Sequence, residues 1–248
     1  MFDLLKRNNW AILLVLALFS CSTDEDLDVD MNDDEGYESY RYDLWKMFVD
    51  EGWSVDFVGT QVDDGTYSMY DGQSFDTDHE GIGGIETEGV LDNLEEVLNS
   101  VEKPDMVLLC IGGNDLLGGD DPQETVDNVS EIIQRIHQFD PNIIVFVEQI
   151  APGRADIFTN EFEELHSTFN NLVGELDNSV STVLGNTRVI DMSSNWSESF
   201  FADDVHYNAE GAMEVAKRYF LKISGSMDAS QSYKILPLGD SRVEGGRP

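Results

Sequence analysis

The run Met106-Val-Leu-Leu-Cys-Ile111 is apolar without a break. A strand with one face in water alternates apolar and polar residues. A strand without that alternation has both faces covered, and the usual cover is a helix layer on each side of a parallel sheet. The rest of the chain supplies what such an arrangement needs. Ser54–Gly59, Ile143–Val147, Arg188–Met192 and Lys234–Leu238 read as further strands. Helical spacing falls between them. It places Tyr40, Leu44, Met47 and Phe48 on one face of 37–51, and Val90, Leu91, Leu94, Val97 and Leu98 on one face of 87–101. Pro122 suits the first position of a helix whose inner face carries Ile132, Ile133 and Ile136, and 161–176 and 210–223 complete the set. The expectation is an α/β protein with a parallel sheet of five strands. At 248 residues one domain is expected, and the segment Ser224–Ser232 reads as a flexible linker by composition.

The first residues stand apart from this pattern. Lys6 and Arg7 precede an apolar stretch, Trp10–Phe19, too short to span a bilayer. It ends in Leu18-Phe19-Ser20-Cys21, which resembles a bacterial lipoprotein signal: 1–20 is then a signal peptide and Cys21 the lipidated residue. A plain secretory signal with a chance cysteine is the other reading. Residues 21–36 are crowded with Asp and Glu, and such a segment stays disordered because like charges repel and little can be buried. Asp26-x-Asp28-x-Asp30 hints at a calcium loop, but Met31 stands where that loop needs Gly and Tyr37 where it needs Glu. The folded domain is expected over 37–248. The other cysteine, Cys110, lies in the apolar run and reads as a buried thiol, so no disulfide is expected if Cys21 is lipidated. Acidic residues number 50 against 14 basic, a net charge of −36. Such a surface repels nucleic acid and anionic headgroups, which leaves the N-terminal lipid as the one expected membrane attachment. A salt-adapted surface and an ordinary acidic secreted protein both fit this charge.

In open α/β sheets ligands bind at the carboxyl ends of the strands. The polar candidates gather there. Gly239-Asp240-Ser241 follows the strand ending at Leu238, and Gly112-Gly113-Asn114-Asp115 follows the one ending at Ile111. Asp203 and His206 lie in the loop beyond Met192, and Gly81 to Gly84 in the connection after Gly59. The set suits nucleophilic acyl transfer. Ser241 is the nucleophile, His206 the base, and Asp203, three residues earlier, the group that orients the base. The oxyanion donors are the backbone N–H groups of Ser241 and Gly84 and the Asn114 amide. Each piece alone has a plainer reading: a turn, a helix cap before Leu116, a surface loop or half of a metal site. His79, His137 and His166 show no ligand spacing, so no metal is expected, and this chemistry needs no organic cofactor.

Taken together, Gly239-Asp-Ser241, Gly84, Gly112-Gly-Asn-Asp115 and Asp203-Asp-Val-His206 resemble the four blocks of the SGNH (GDSL-type) hydrolases. The resemblance covers about 37–248. It implies a three-layer α/β/α, flavodoxin-like fold and a serine esterase using the residues named above. The family often places Pro after the histidine where this chain has Tyr207, a difference expected to alter local packing. The order also differs. Family members run Ser, Gly, Asn, His, whereas this chain runs Gly84, Asn114, His206, Ser241. Joining Pro248 to Gly36 restores an uninterrupted family start, including Tyr40-Arg-Tyr-Asp-Leu-Trp45. The resemblance therefore implies a circular permutation, with 224–232 as the linker and 233–248 as the relocated nucleophile block. Nine extended residues reach roughly 30 Å, enough to join ends that usually lie close. The competing reading is a chance Gly-Asp-Ser, with Ser193 or Ser194 as nucleophile.

The stretches Pro237-Leu-Gly-Asp-Ser241 and Tyr40–Trp45 look most like the carbohydrate-esterase branch, which removes acetyl groups from polysaccharides such as xylan. The expected partner is a small ester or acetylated glycan. Trp196, Phe200 and Phe201 read either as a sugar-stacking or acyl-contact wall or as core aromatics beneath the Asp203 loop. A lysophospholipase or general short-chain esterase uses the same triad. A non-catalytic glycan-binding surface lipoprotein is the reading from outside the enzymes.

Overall fold

The computed structural model describes residues 39–245 except 156, 158 and 179–184. The expected signal peptide, Cys21 and the acidic tether lie outside the described residues. Gly36–Pro248 forms one compact unit. Its helices are α1 (Tyr40–Asp50), α2 (Thr87–Ser100), α3 (Gly113–Gly118), α4 (Pro122–Phe139), α5 (Asn160–Asn178), α6 (Ala209–Ser224) and α7 (Ser241–Glu244). Its strands are β1 (Ser54–Phe57), β2 (Gln61–Val62), β3 (Asp78–Gly81), β4 (Met106–Cys110), β5 (Ile144–Gln149), β6 (Thr187–Asp191) and β7 (Ser232–Gly239).

The sheet runs β2-β3-β7-β4-β5-β6, with β1 also paired to β7. Every pairing is parallel except β2 with β3. The five expected parallel strands are present, and β2 and β3 extend them. β3 carries no apolar signal because it reads Asp-His-Glu-Gly. Its Glu80 is buried all the same, since the Thr60 N–H and hydroxyl donate to its carboxylate at 2.9 and 2.7 Å.

Alternate residues of β4 feed opposite layers. Met106, Leu108 and Cys110 pack with Phe146, Ile190 and Ile235 and with residues of α1 and α6. Val107 and Leu109 pack with Val145, Val147 and Leu236 and with residues of α2, α4 and α5. Burying a large aliphatic side chain contributes about 1.5–3 kcal/mol, which is why the unbroken run demands both layers. At α4, the Asp121 carboxylate accepts the N–H groups of Gln123 and Glu124, and Pro122 occupies the first turn.

β7 is the last strand in the chain and lies inside the sheet. It pairs with β4 on one side. On the other it pairs with β1 over Ser232–Ile235 and with β3 over Leu238–Gly239. Pro237 sits in this interior strand, where a missing N–H normally breaks a ladder. It falls in the window between the two partners, where neither β1 nor β3 pairs with β7. The segment between α6 and β7 is anchored rather than loose: the Tyr233 hydroxyl donates to the Asp228 carbonyl at 3.0 Å.

Candidate active site

β7 delivers Ser241 to the carboxyl rim. At its end, the backbone of Gly239 passes so close to β4 that an added Cβ would lie 1.9 Å from the Cys110 carbonyl oxygen, so only glycine fits. Asp240 then caps α7, its carboxylate accepting the Arg242 N–H at 2.9 Å. Ser241 is the first residue of that short helix. Burial pushes the Asp240 carboxyl up, against the pull of the Arg242 charge and N–H.

The loop after β6 brings the other two residues. Asp203 Oδ1 accepts the N–H groups of Val205 and His206 at 2.9 and 2.8 Å, which folds the segment back on itself. Its Oδ2 then lies 2.7 Å from His206 Nδ1, and His206 Nε2 lies 2.9 Å from Ser241 Oγ. Burial alone raises the Asp203 carboxyl. The two backbone donors and the imidazole outweigh that effect and hold it below the ordinary carboxylate range. An ionised Asp203 places the ring hydrogen on Nδ1 and turns the Nε2 lone pair toward the serine hydroxyl.

Asn114 stands in the first turn of α3, just past β4. Its Nδ2 donates to the Ile85 carbonyl at 2.9 Å, gripping the backbone one residue beyond Gly84. That bond uses one of the two amide hydrogens. Gly84 has φ +74°, a left-handed value that favours glycine. Asp115 accepts both the N–H and the hydroxyl of Thr87 and so locks this block to the start of α2. Ser241, Asn114, Leu117, Ile150 and Phe162 line a cavity of about 20 Å³. Gly84 does not line it.

Two arginines complete the arrangement, and sequence reading missed both. Arg242 is buried directly after the nucleophile candidate. Its Nε donates to Val205 O at 3.1 Å, its Nη1 donates to Ala151 O at 3.2 Å, and its guanidinium lies 5.2 Å from the centroid of the Tyr207 ring. Val205 and Tyr207 flank His206, so one side chain ties the helix of Ser241 to both neighbours of His206. Arg41, fully buried in α1, donates to Val243 O, Glu244 O and Thr77 O and to the Asp63 carboxylate. It clamps α7 from the other side. A charged residue signals exposure in a sequence, and nothing local announces that backbone carbonyls will surround it.

The aromatic residues fall elsewhere. Trp196 packs on Phe200, Phe201 and Tyr207 with centroids 5.3, 5.9 and 5.2 Å apart, and Phe201 is core. None of the three lines the cavity beside Ser241. They pack on one another and on Tyr207, the residue after His206. Ser193 and Ser194 turn toward Asp191, whose Oδ1 accepts both of their N–H groups at 2.8 Å.

A parallel sheet covered by helices on both faces, with a serine, a histidine and an aspartate hydrogen-bonded in series at its carboxyl rim, has the build of a serine hydrolase. The sequence model of the GDSL-like lipase/acylhydrolase family matches residues 51–213, and the chain belongs to that family. It is a carboxylic ester hydrolase with an SGNH-type fold. The matched stretch holds Gly84, Asn114, Asp203 and His206 and stops before Ser241. Among solved structures, the chain is similar to the Clostridium thermocellum family 3 carbohydrate esterase, at 25% identity over 74% of this chain and 84% of that one, with a TM-score of 0.57. A family 3 carbohydrate esterase from Talaromyces cellulolyticus shares the fold at 23% identity, over 76% and 91% of the two chains, with a TM-score of 0.63. An acetyl esterase solved with an acetate ion does so with the same figures. A search of curated protein sequences returned no match.

Proposed function

We propose that the protein is an exported serine esterase that removes acetyl groups from carbohydrate, with Ser241, His206 and Asp203 as its triad. The observation that carries this reading is the hydrogen-bond series from Asp203 Oδ2 through His206 to Ser241 Oγ, at 2.7 and 2.9 Å. His206 Nε2 takes the hydroxyl proton as Ser241 Oγ bonds to the ester carbonyl carbon. The negative charge that develops on the carbonyl oxygen is met by the Ser241 N–H, the Gly84 N–H and the second Asn114 amide hydrogen. The carbon–oxygen bond to the sugar breaks, and the alcohol leaves with the proton from His206. Water then repeats the sequence on the acetyl-serine, releasing acetate and restoring the hydroxyl. Asp203 stays ionised and holds the imidazole orientation throughout.

The acyl assignment rests on size. The cleft beside Ser241 is small, about 20 Å³, which favours a short acyl group. The carbohydrate assignment rests on the similarity to the Clostridium thermocellum esterase. The interior position of β7 supports a permuted order in which the C-terminal block takes the place of the family's first strand. Cys21 is the proposed lipid anchor, which would hold the enzyme at a bacterial surface beside external glycans. The test is acetate release from acetylated xylan and acetylated glucomannan by the wild-type protein and by Ser241→Ala. Loss of about 10³-fold or more in the variant is expected. Undiminished release by Ser241→Ala would contradict the triad.

A further inference from the structure

The loop that leaves β5 divides two hollows on the same rim. Ile150 and Ala151 line the cavity beside Ser241, whereas Gln149 and Pro152 line a second one of about 380 Å³. The two communicate through packing. Phe162 lines the first and stacks on His166, which lines the second, with ring centroids 6.3 Å apart and planes 27° apart. The second hollow opens between the ends of β5 and β6. Strands lie about 4.8 Å apart, so its centre is roughly 12 Å along the rim from β7. That is the place for a unit next to the one bearing the scissile ester.

The walls are held in place before any ligand arrives. Asn170 Nδ2 donates to Ile150 O at 3.0 Å, and Gln149 Nε2 donates to Asn170 O at 2.7 Å. Asp191 Oδ1 accepts two backbone N–H groups, and Arg218 donates from outside to the carbonyls of Asp191 and Ser194 at 2.9 and 3.0 Å. Preorganised polar walls lower the ordering cost of binding.

Their chemistry selects the ligand. Gln149, Asn170 and Asn171 offer amides, Ser167 and Ser194 hydroxyls, and Glu163 and Asp191 carboxylates. No lysine or arginine lines the hollow among the described residues, which disfavours phosphate or sulfate. The polar groups outweigh the apolar surface of Pro152, which gives an acyl chain little to bury against. Vicinal hydroxyls both donate to carboxylate and amide oxygens and accept from amide N–H, so a neutral polyol satisfies such a wall. We propose that this hollow is a subsite for an uncharged sugar ring of the glycan whose acetyl group is presented to Ser241. The proposal rests on the carbohydrate-deacetylase reading above. Its volume lies within the range of ordinary ligand pockets, about 300–1,000 Å³.

The test fills the hollow without touching the catalytic residues. Ser167 and Asn171 are exposed positions of α5, so Ser167→Trp and Asn171→Trp are expected to fold. Each should lower kcat/KM on acetylated xylo- and manno-oligosaccharides about tenfold or more, mainly through KM. Turnover of p-nitrophenyl acetate, which has no sugar ring, should stay within twofold of wild type. Equal losses on both kinds of substrate, or no loss on either, would overturn the subsite. Isothermal titration of the Ser241→Ala protein with unacetylated xylohexaose, cellohexaose and mannohexaose separates this proposal from the reading it rests on. Binding of one of them that Asn171→Trp abolishes supports the subsite even if no acetate is released. Absence of binding by all three, beside acetate release from polymer, would overturn the subsite and leave the deacetylase reading standing.

Discussion

Gly81→Ala tests whether the position of Ser241 is set by the contact of α7 with β3. At Gly81 a Cβ would lie 2.2 Å from the Glu244 backbone nitrogen and 2.7 Å from the Val243 carbonyl carbon. These are main-chain atoms and cannot rotate out of the way. Ordinary contact begins near 3.4 Å, so α7 must retreat by about 1 Å. The φ of Gly81 is outside the left-handed region, so alanine is conformationally allowed there and the clash is the whole perturbation. Overpacking of this kind costs about 1–3 kcal/mol. Displacing a reacting atom by about 1 Å costs on the order of 10²-fold in rate. The expected result is a folded protein, slightly less stable in urea, whose kcat on p-nitrophenyl acetate falls roughly 100-fold. Gly83→Ala is the control. Its Cβ would meet only the Glu244 Oε2, the mobile end of a side chain, at 2.7 Å, and near-normal activity is expected. Wild-type kcat in Gly81→Ala, with the substitution verified, would refute the argument that this contact sets the nucleophile.

Arg242→Met should lower kcat about 10²-fold with little change in KM, because it releases the Val205 carbonyl on one side of His206 and the Tyr207 ring on the other; Arg242→Lys should recover part of the loss by restoring charge without the two-pronged grip. A change confined to KM would contradict that role. Glu148 is buried, and burial raises its carboxyl to about 7 despite the Tyr219 hydroxyl and the Arg242 charge. The folded protein therefore keeps a proton that the unfolded chain releases near pH 4.5, and stability declines as pH rises from there to about 7. Glu148→Gln removes that decline, so its stability relative to wild type should grow by about 2–3 kcal/mol between pH 5 and pH 8, read from denaturant titrations. Asn114→Ala should fold normally and lose about 10²–10³ in kcat, as removal of one oxyanion donor does.

Much of this arrangement was legible because it is written in period and position. The unbroken Met106–Ile111 run led to two helix layers, and the two core clusters lie on the two faces it implies. Ser241, His206 and Asp203 could be placed together because each follows a strand that ends at the same rim, and their hydrogen bonds now join them. β3 was not legible, since its burial depends on Thr60 reaching Glu80 and not on apolar residues. The burial of Arg41 and Arg242 depends on carbonyls distant in sequence, such as Val243 O for Arg41 and Ala151 O for Arg242. Pro237 argues against an interior strand by its residue type alone. The structure admits it because β1 stops pairing at Ile235 and β3 starts at Leu238. Position could not decide whether Trp196, Phe200 and Phe201 face substrate or core, because the answer lies in the ring packing around Tyr207.

The central claim is that Ser241, just after the last strand, is the nucleophile. Reaction of the protein with a fluorophosphonate, followed by digestion and mass mapping, addresses it directly. The label should appear on the peptide that contains Ser241 and be absent from Ser241→Ala, with activity lost in step with labelling. A label on the peptide carrying Ser193 and Ser194, or full activity in protein fully labelled at Ser241, would contradict the account.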